Sequence, residues 1–385
     1  MTRTIRVALN ARILQAARTG IGQYVAGLAD ALLAREDIEL SIELSLLMGR
    51  RMSISVPPPR QPAPQNRLSA LLRPLPGAYR LRRLLEQAAF DKHLRHKAFD
   101  LYHEPSLWPY DFDGPMVMTL HDLTHLHYPH TQPPARLREI ERHIDRSVTQ
   151  AARILVDSAY IGREVARHFA LSAEKIIVAP LGCSTEFHPR SAPQIQATLS
   201  KLGLQPREYL LCVGTLEPRK NLPLALRAHA RLPEALRQRY PLLLVGMAGW
   251  NTHQFSAELH TALAAGHVRL TGYLESGTLA ELVAGARALV YPSLYEGFGL
   301  PVVEAMASGT PVIVSNRASL PEVAGNAGRV VDAEDEMGLC HALQILIEDE
   351  AAWQAQRLAG LQQATQFTWP RCAEITAQAY HAAMH

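Results

Sequence analysis

Short apolar runs bounded by glycine, proline and polar residues recur along this chain, and most are followed by a stretch with apolar residues at helical spacing. The runs at 5–9 (IRVAL), 38–47, 100–104, 116–120 (MVMTL), 154–157 and 175–179 predict buried strands. Helices are predicted over about 22–34, 136–150 and 160–169. The alternation pauses near 188–194 and restarts with strands at 209–214 (YLLCVG), 242–246, 268–271, 288–291 (ALVY) and 311–314 (PVIV). A helix over 275–286 and a final one from 367 complete the pattern. Strands that alternate with helices predict an α/β architecture with parallel sheets. At 385 residues the chain is long for one core. Two domains are expected, 1–188 and 195–366, followed by the carboxyl-terminal helix 367–385.

The densest chemistry lies in 288–314: strand, glycine-punctuated loop, helix, strand. Gly297 and Gly299 place bare backbone at a strand's carboxyl end, opposite a helix start marked by Pro301, and Gly309 stands where that helix should stop. Ligands bind at that end of an open α/β sheet, and helix N–H groups there favour an anion. Glu296 enters the loop. Glu304 is placed in the helix's first turn, beside a bound diphosphate, where its carboxylate could accept hydrogen bonds from ribose hydroxyls. An alternative is that Glu304 only complements the helix dipole and the glycines only turn the chain.

Two further strand ends carry suitable groups. After 209–214 the turn reads Gly214-Thr-Leu-Glu-Pro-Arg219-Lys220-Asn221, and adjacent cations there suit a diphosphate: Lys as a point charge, Arg as a fork. A solvated surface pair is the bland alternative. His121 sits where MVMTL ends, on the ligand side of the sheet. Gly20-Ile21-Gly22 precedes the first helix, but the spacing to Gly27 does not fit a dinucleotide fingerprint.

The stretch EGFGLPVVEAMASGTPVI, with Glu296 and Glu304 separated by seven residues, resembles the E-x7-E signature of glycosyltransferase family 4. That family comprises retaining, nucleotide-sugar-dependent enzymes of the GT-B fold. The resemblance covers nearly the whole chain and thins over residues 50–98. It implies two Rossmann-like domains facing a cleft, with the carboxyl-terminal helix crossing back to the first. It implies that Gly20 and Gly22 of TGIGQYV face the donor phosphate and that His121 of MTLHDLTHLHYP approaches the donor sugar. Lys220 would bind phosphate. Many members have an arginine after the glycine where this chain has Thr215, a place Arg219 could fill. Gly214, Gly297, Phe298, Gly299, Leu300 and Glu304 would surround the donor, and the base would pack on the loop at Tyr273. Gly182 is followed by Cys183-Ser184, where the family usually has an acidic residue. GTLEPRKNL with HDLTHLHYP is most similar to mannosyl- or rhamnosyltransferases of O-antigen and exopolysaccharide assembly, which favours a GDP-sugar.

Composition narrows the rest. Hydrophobic residues at 48% and charged ones at 19% describe a folded protein, and a net charge of +3 excludes a nucleic-acid binder that relies on bulk charge. The four cysteines show no C-x2-C pair, and Cys212 lies inside an apolar run, so buried thiols are expected. Asn10 and Arg12 interrupt the early apolar run, so no secretory signal is expected, and no run reaches the roughly 20 residues of a membrane span. Residues 67–97 carry eight Lys/Arg against Glu86 and Asp91, or +6, with leucines at helical spacing broken at Pro74 and Pro76. Such a stretch suits an anionic membrane surface or anionic lipid-linked acceptor, and equally a helix with a solvated face. A cytoplasmic protein, peripheral on the inner face of the membrane, is expected. Asp111-Phe-Asp113 precedes Gly-Pro and reads as a turn rather than a metal motif. His121, His125, His127 and His130 invite a zinc reading, but Pro129 interrupts them and H-E-x-x-H is missing. No metal or other cofactor is expected.

Loss of a nucleoside diphosphate from a sugar leaves oxocarbenium character at the anomeric carbon and extra charge on phosphate. Lys220, Arg219 and the helix start after Gly299 would stabilise that charge, Glu304 would hold the ribose, and Glu296 would orient the sugar or steady its positive charge. Front-face departure, with the phosphate taking the acceptor's proton, is preferred over a Glu296 nucleophile. The expected reaction is retaining hexosyl transfer to a lipid-linked or polysaccharide acceptor. A nucleotide-sugar epimerase of related shape, a UDP-sugar transferase and a non-enzymatic scaffold are the rivals.

Overall fold

In a computed structural model, residues 4–16, 18, 20–36, 40–49, 51–59, 78–131, 134–247 and 256–385 are described. Thr19, Ile38, the proline-rich stretch beyond Pro59, Leu68, Leu71, Leu72, Pro74, Pro76 and the loop 248–250 lie outside them. The chain forms two units. One comprises Met1–His125, Pro133–Gly182 and Trp369–His385; the other comprises Leu126–Gln132 and Cys183–Thr368. The stretch 188–194 is therefore within the second unit, and a helix Ala192–Lys201 begins inside it, behind a Ser191/Gln194 capping box.

The first unit holds strands β1 (Ile5–Asn10), β2 (Ile42–Met48), β3 (Arg51–Ser53), β4 (Leu101–Glu104), β5 (Met116–Leu120), β6 (Arg153–Val156) and β7 (Ile176–Val178). Their spatial order is β3-β2-β1-β4-β5-β6-β7, parallel except for β3, which turns back on β2. All of MVMTL and LYHE is buried, as strands covered on both faces must be. The helix Pro134–Gln150 turns Ile140, Ile144 and Val148 inward at a four-residue spacing. Ser158 starts the helix Ala159–His168 by accepting the Ile161 N–H through its hydroxyl.

The carboxyl-terminal helix Trp369–Ala383 belongs to this unit and packs on the helix Gly20–Leu33. Its inner face is Cys372, Ala373, Thr376, Ala377 and Tyr380, all with no exposed surface. Small side chains allow close approach. Gly27 completes the fit, since a Cβ there would stand 2.2 Å from the Trp369 ring. The glycine that fails the dinucleotide spacing is thus a helix-packing residue.

The second unit holds β8 (Leu210–Val213), β9 (Leu242–Val245), β10 (Val268–Gly272), β11 (Ala288–Tyr291), β12 (Val312–Ser315) and β13 (Arg329–Val331). The order β10-β9-β8-β11-β12-β13 is that of a doubly wound Rossmann sheet. The strand order reverses between β8 and β11, so the turns after those strands flank the place where such sheets bind ligands. The helix Glu336–Glu348 packs on β12 and β13, and Glu350–Ala364 packs on it and on the helix Leu300–Ala307; neither is expected from the sequence, and each starts at an aspartate cap, Asp335 and Asp349.

Candidate active site

Arg219 and Lys220 ride on a short 3-10 turn, Pro218–Lys220, between β8 and the helix Leu222–Ala230. Asn221 closes the turn in the left-handed region (φ 53°), a conformation asparagine tolerates. Its amide donates to the carbonyls of Pro292 (3.1 Å) and Ala333 (2.8 Å), and the Leu294 N–H donates to the Arg219 carbonyl at 2.7 Å. The turn after β8 is therefore laced to the loop after β11. A Cβ at Gly214 would lie 3.2 Å from Lys220 Cε, so the glycine leaves room for the lysine stem.

That lacing delivers Glu296 to both cations. Lys220 Nζ donates to its Oε1 at 2.6 Å, and Arg219 Nη1 to its Oε2 at 2.8 Å. Lys220 also donates to the Tyr291 hydroxyl at 2.8 Å, while Arg219 reaches the Tyr295 carbonyl at 2.8 Å and Glu217 at 2.7 Å. The Ser319 hydroxyl bonds the carbonyls of Glu296 (2.8 Å) and Phe298 (3.0 Å) from behind. Burial by itself would raise the Glu296 pKa, but Arg219 and Lys220 outweigh it and hold the carboxyl at about 2. Burial pulls the Lys220 ammonium below its usual range despite that partner. Sequence reading sets the two cations before a diphosphate and Glu296 before the sugar; in the structure they form one network with Glu217 whose formal charges cancel. Lys220 has three N–H groups, and Glu296 and Tyr291 occupy two.

Glu304 has the opposite surroundings. The helix runs Leu300–Ala307, so Glu304 is its fifth residue and stands at the start of the second turn rather than in the first, where the helix dipole acts most strongly. It is 4% exposed and its carboxylate has no hydrogen-bond partner among the described residues. Burial, reinforced by the negative charge of Glu186, pushes its pKa up to about 8. Gly299 adopts φ 102°, and a Cβ there would meet Leu320 Cδ2 at 2.8 Å, so only glycine fits the start of this helix. Phe298 packs edge-on against Phe367 (5.5 Å), Leu300 opens the helix, and Tyr273 follows β10 half-buried.

In the first unit Gly20 opens the helix two residues earlier than expected, so Gly20 and Gly22 are helical rather than part of the preceding loop. His121 follows β5, as its neighbours predict, and its Nδ1 pairs with Asp157 Oδ2 at 2.7 Å. Burial opposes charge on this ring, yet Asp157 prevails and raises its pKa. The other histidines have separate surroundings: His125 is buried, and His127 lies against Tyr295 (4.9 Å). Asp111 and Asp113 are exposed in a turn, where the Asp111 N–H bonds Gln87. Among the described residues no three His, Cys, Asp or Glu side chains gather as metal ligands do.

Residues 18–187 match the model of Glycosyltransferase Family 4, and residues 195–362 that of Glycosyl transferases group 1. The O-antigen chain mannosyltransferase B of Escherichia coli is 37% identical over 370 residues, which span 94% of this chain and 96% of that protein. The chain belongs to glycosyltransferase family 4. Among solved structures, a sucrose-phosphate synthase from Thermosynechococcus elongatus superposes with a TM-score of 0.74 at 21% identity, covering 98% of both chains. Anabaena HepE in complex with UDP-glucose superposes at 0.70 and 17% identity, covering 98% of this chain and 99% of that one. The fold of this glycosyltransferase is accordingly GT-B. Sequence reading missed Asp157, Tyr291, Asn221 and Ser319, which hold the candidate side chains or their loops. Asp157 alone left a signal, as a carboxylate at the end of an apolar strand.

Proposed function

We propose that this glycosyltransferase moves a mannosyl group from a GDP-sugar, with retention and without a metal, to a lipid-linked or polysaccharide acceptor of a cell-surface glycan. The E. coli mannosyltransferase supports the sugar and the setting. The observation that carries the reaction type is the Lys220–Glu296–Arg219 cluster at the strand-order reversal of the second unit. In this reading the bond from the anomeric carbon to the diphosphate oxygen breaks, and the acceptor oxygen bonds to the same face. The acceptor's proton passes to the departing phosphate. Lys220, through its remaining N–H, and Arg219 stabilise the developing charge, as fixed donors in a buried site do. Glu296 keeps both cations in place and is anionic throughout. A carboxylate with each oxygen held by a cation is a weak nucleophile, which supports front-face departure over a covalent glycosyl-enzyme. Glu304 receives the ribose hydroxyls and His121 serves the donor sugar.

The acceptor's membrane is the second part of the proposal. Among the described residues no helix is long and apolar enough to cross a bilayer. The helix Ala78–His96 exposes Leu84 (67%) and Leu85 (58%) on a chain segment rich in arginine. Two adjacent exposed leucines beside cations suit shallow insertion at an anionic leaflet. Thermal shift and turnover across GDP-, UDP-, ADP- and TDP-sugars test the donor: GDP-mannose should stabilise the protein and be consumed only with acceptor. Selective stabilisation by a UDP-sugar would replace the donor, and donor turnover without acceptor would replace the reaction.

A further inference from the structure

A buried polar chain crosses the first unit beneath His121. The Tyr380 hydroxyl, on the carboxyl-terminal helix, bonds His103 Nδ1 at 2.7 Å. His103 Nε2 bonds Thr119 Oγ1 at 2.8 Å, and Thr119 Oγ1 bonds the Tyr24 hydroxyl at 2.9 Å. All four residues are at most 1% exposed. The Tyr24 ring then meets the His121 imidazole edge-on, with centroids 4.7 Å apart and planes at 78°. Apolar side chains of the same size would pack this region with no polar groups to satisfy, so stability alone gives no reason for the chain. Its effect is to fix one ring. Tyr24 has two soft torsions, and anchoring its hydroxyl sets the wall against which His121 rests. Asp157 supplies the second constraint, because a carboxylate on Nδ1 selects the tautomer with the proton there.

We propose that Asp157 and Tyr24 are positioning residues for glycosyl transfer, Asp157 setting the tautomer of His121 and Tyr24 its tilt, with Tyr24 held through Thr119 and His103 by Tyr380. This rests on the reading that His121 serves the donor sugar. It gives the returning carboxyl-terminal helix a part in the chemistry: through Tyr380 it completes the support of a ring on β5's end. His103 is suited to a fixed link, since burial, with the nearby His121, drops its pKa to about 3 and keeps it neutral. The other titratable groups around His121 and its two supports are Asp122 on its own segment and Cys372 from the carboxyl-terminal helix, the latter beside Tyr24 and Asp157.

The test uses full-length protein with ¹⁵N-labelled histidine, His121 being assigned by the signal lost in His121→Ala. In the wild type the His121 signal should report a protonated Nδ1 and titrate above an ordinary histidine. Asp157→Asn should lower that midpoint by about 1–3 pH units, the size of a neighbouring carboxylate's influence. It should lower kcat roughly ten- to a hundredfold with donor KM unchanged. Tyr24→Phe keeps the ring and removes only the anchor; it should lower kcat less and leave the midpoint in place, which serves if Asp157→Asn does not fold. A His121 titration unmoved in Asp157→Asn, or full kcat in Tyr24→Phe, overturns the proposal. If His121→Ala retains full activity while Asp157→Asn still shifts the resonance, the role assigned to His121 falls and the ring-holding arrangement stands.

Discussion

Glu304→Gln should make the protein more stable and less able to bind nucleotide, with a pH dependence that identifies the cause. The Glu304 carboxyl is 4% exposed, has no hydrogen-bond partner among the described residues, and is pushed from 4.5 up to about 8 by burial and then by Glu186. A pKa raised on folding means that the folded state binds more protons than the unfolded one between those two values. Stability is therefore full below pH 4.5 and declines as pH rises towards 8. One pKa step corresponds to about 1.4 kcal/mol, so ionising this group in the folded chain costs roughly 5 kcal/mol by pH 8 and about 3 kcal/mol by pH 7. Glutamine has the shape of the protonated acid and does not ionise. Melting temperatures of the two proteins should agree near pH 5. By pH 8 the variant should melt about 10–20 °C higher, at 2–4 °C per kcal/mol for a unit of this size. Ribose hydroxyls need the ionised acceptor, so the wild type should bind nucleotide more tightly as pH approaches 8, and calorimetry should show proton release. The variant should lose both effects. Parallel melting curves from pH 5 to 8.5 would refute the reasoning, since they would mean that Glu304 ionises at no cost in the folded protein.

Lys220→Ala should weaken nucleotide-sugar binding about ten- to a hundredfold with the fold intact, because a charge-assisted contact in a buried site contributes about 1.5–3 kcal/mol; unchanged affinity by calorimetry would remove Lys220 from the donor site. Turnover should persist in excess EDTA, the positive charge near the phosphate coming from Arg219 and Lys220; loss restored by Mn²⁺ or Zn²⁺ would return Asp111, Asp113 and the histidines to consideration. Liposome co-sedimentation should require anionic lipid, fade with salt, and drop when Leu84 and Leu85 become Ser, since each surface Lys or Arg contributes on the order of 1 kcal/mol that salt screens; indifference to anionic liposomes at low salt would leave the basic segment to another partner.

Local pattern carried most of the strands. Runs such as MVMTL and ALVY are apolar but for Thr119 and the Tyr291 hydroxyl, as a parallel strand covered on both faces requires. Gly299 and Pro301 likewise announced a loop-to-helix junction. The short β3 (Arg51–Ser53) left no such mark: it is exposed or half-buried and joins the edge by turning back on β2. Helix ends moved by a residue or two, enough to shift Glu304 from the first turn to the second. Pairings between distant segments were not legible. Arg219 and Lys220 stand 77 and 76 residues from Glu296, and nothing in either segment states that Asn221 and Leu294 fasten them together. The same holds for His121 and Asp157, 36 residues apart, and for Tyr380 and His103, 277 apart. Sequence shows which chemistry a strand end offers; the sheet order decides which ends meet.

The measurement that bears most directly on the account is the anomeric configuration of the product. A purified reaction with GDP-mannose, whose mannose is α-linked to phosphate, can be followed by NMR through the one-bond C1–H1 coupling of the new linkage. Departure and attack on one face, with Glu296 clamped between Lys220 and Arg219, predict an α-mannosyl product. A β-linked product would mean attack from the opposite face and would contradict the mechanism proposed for this site.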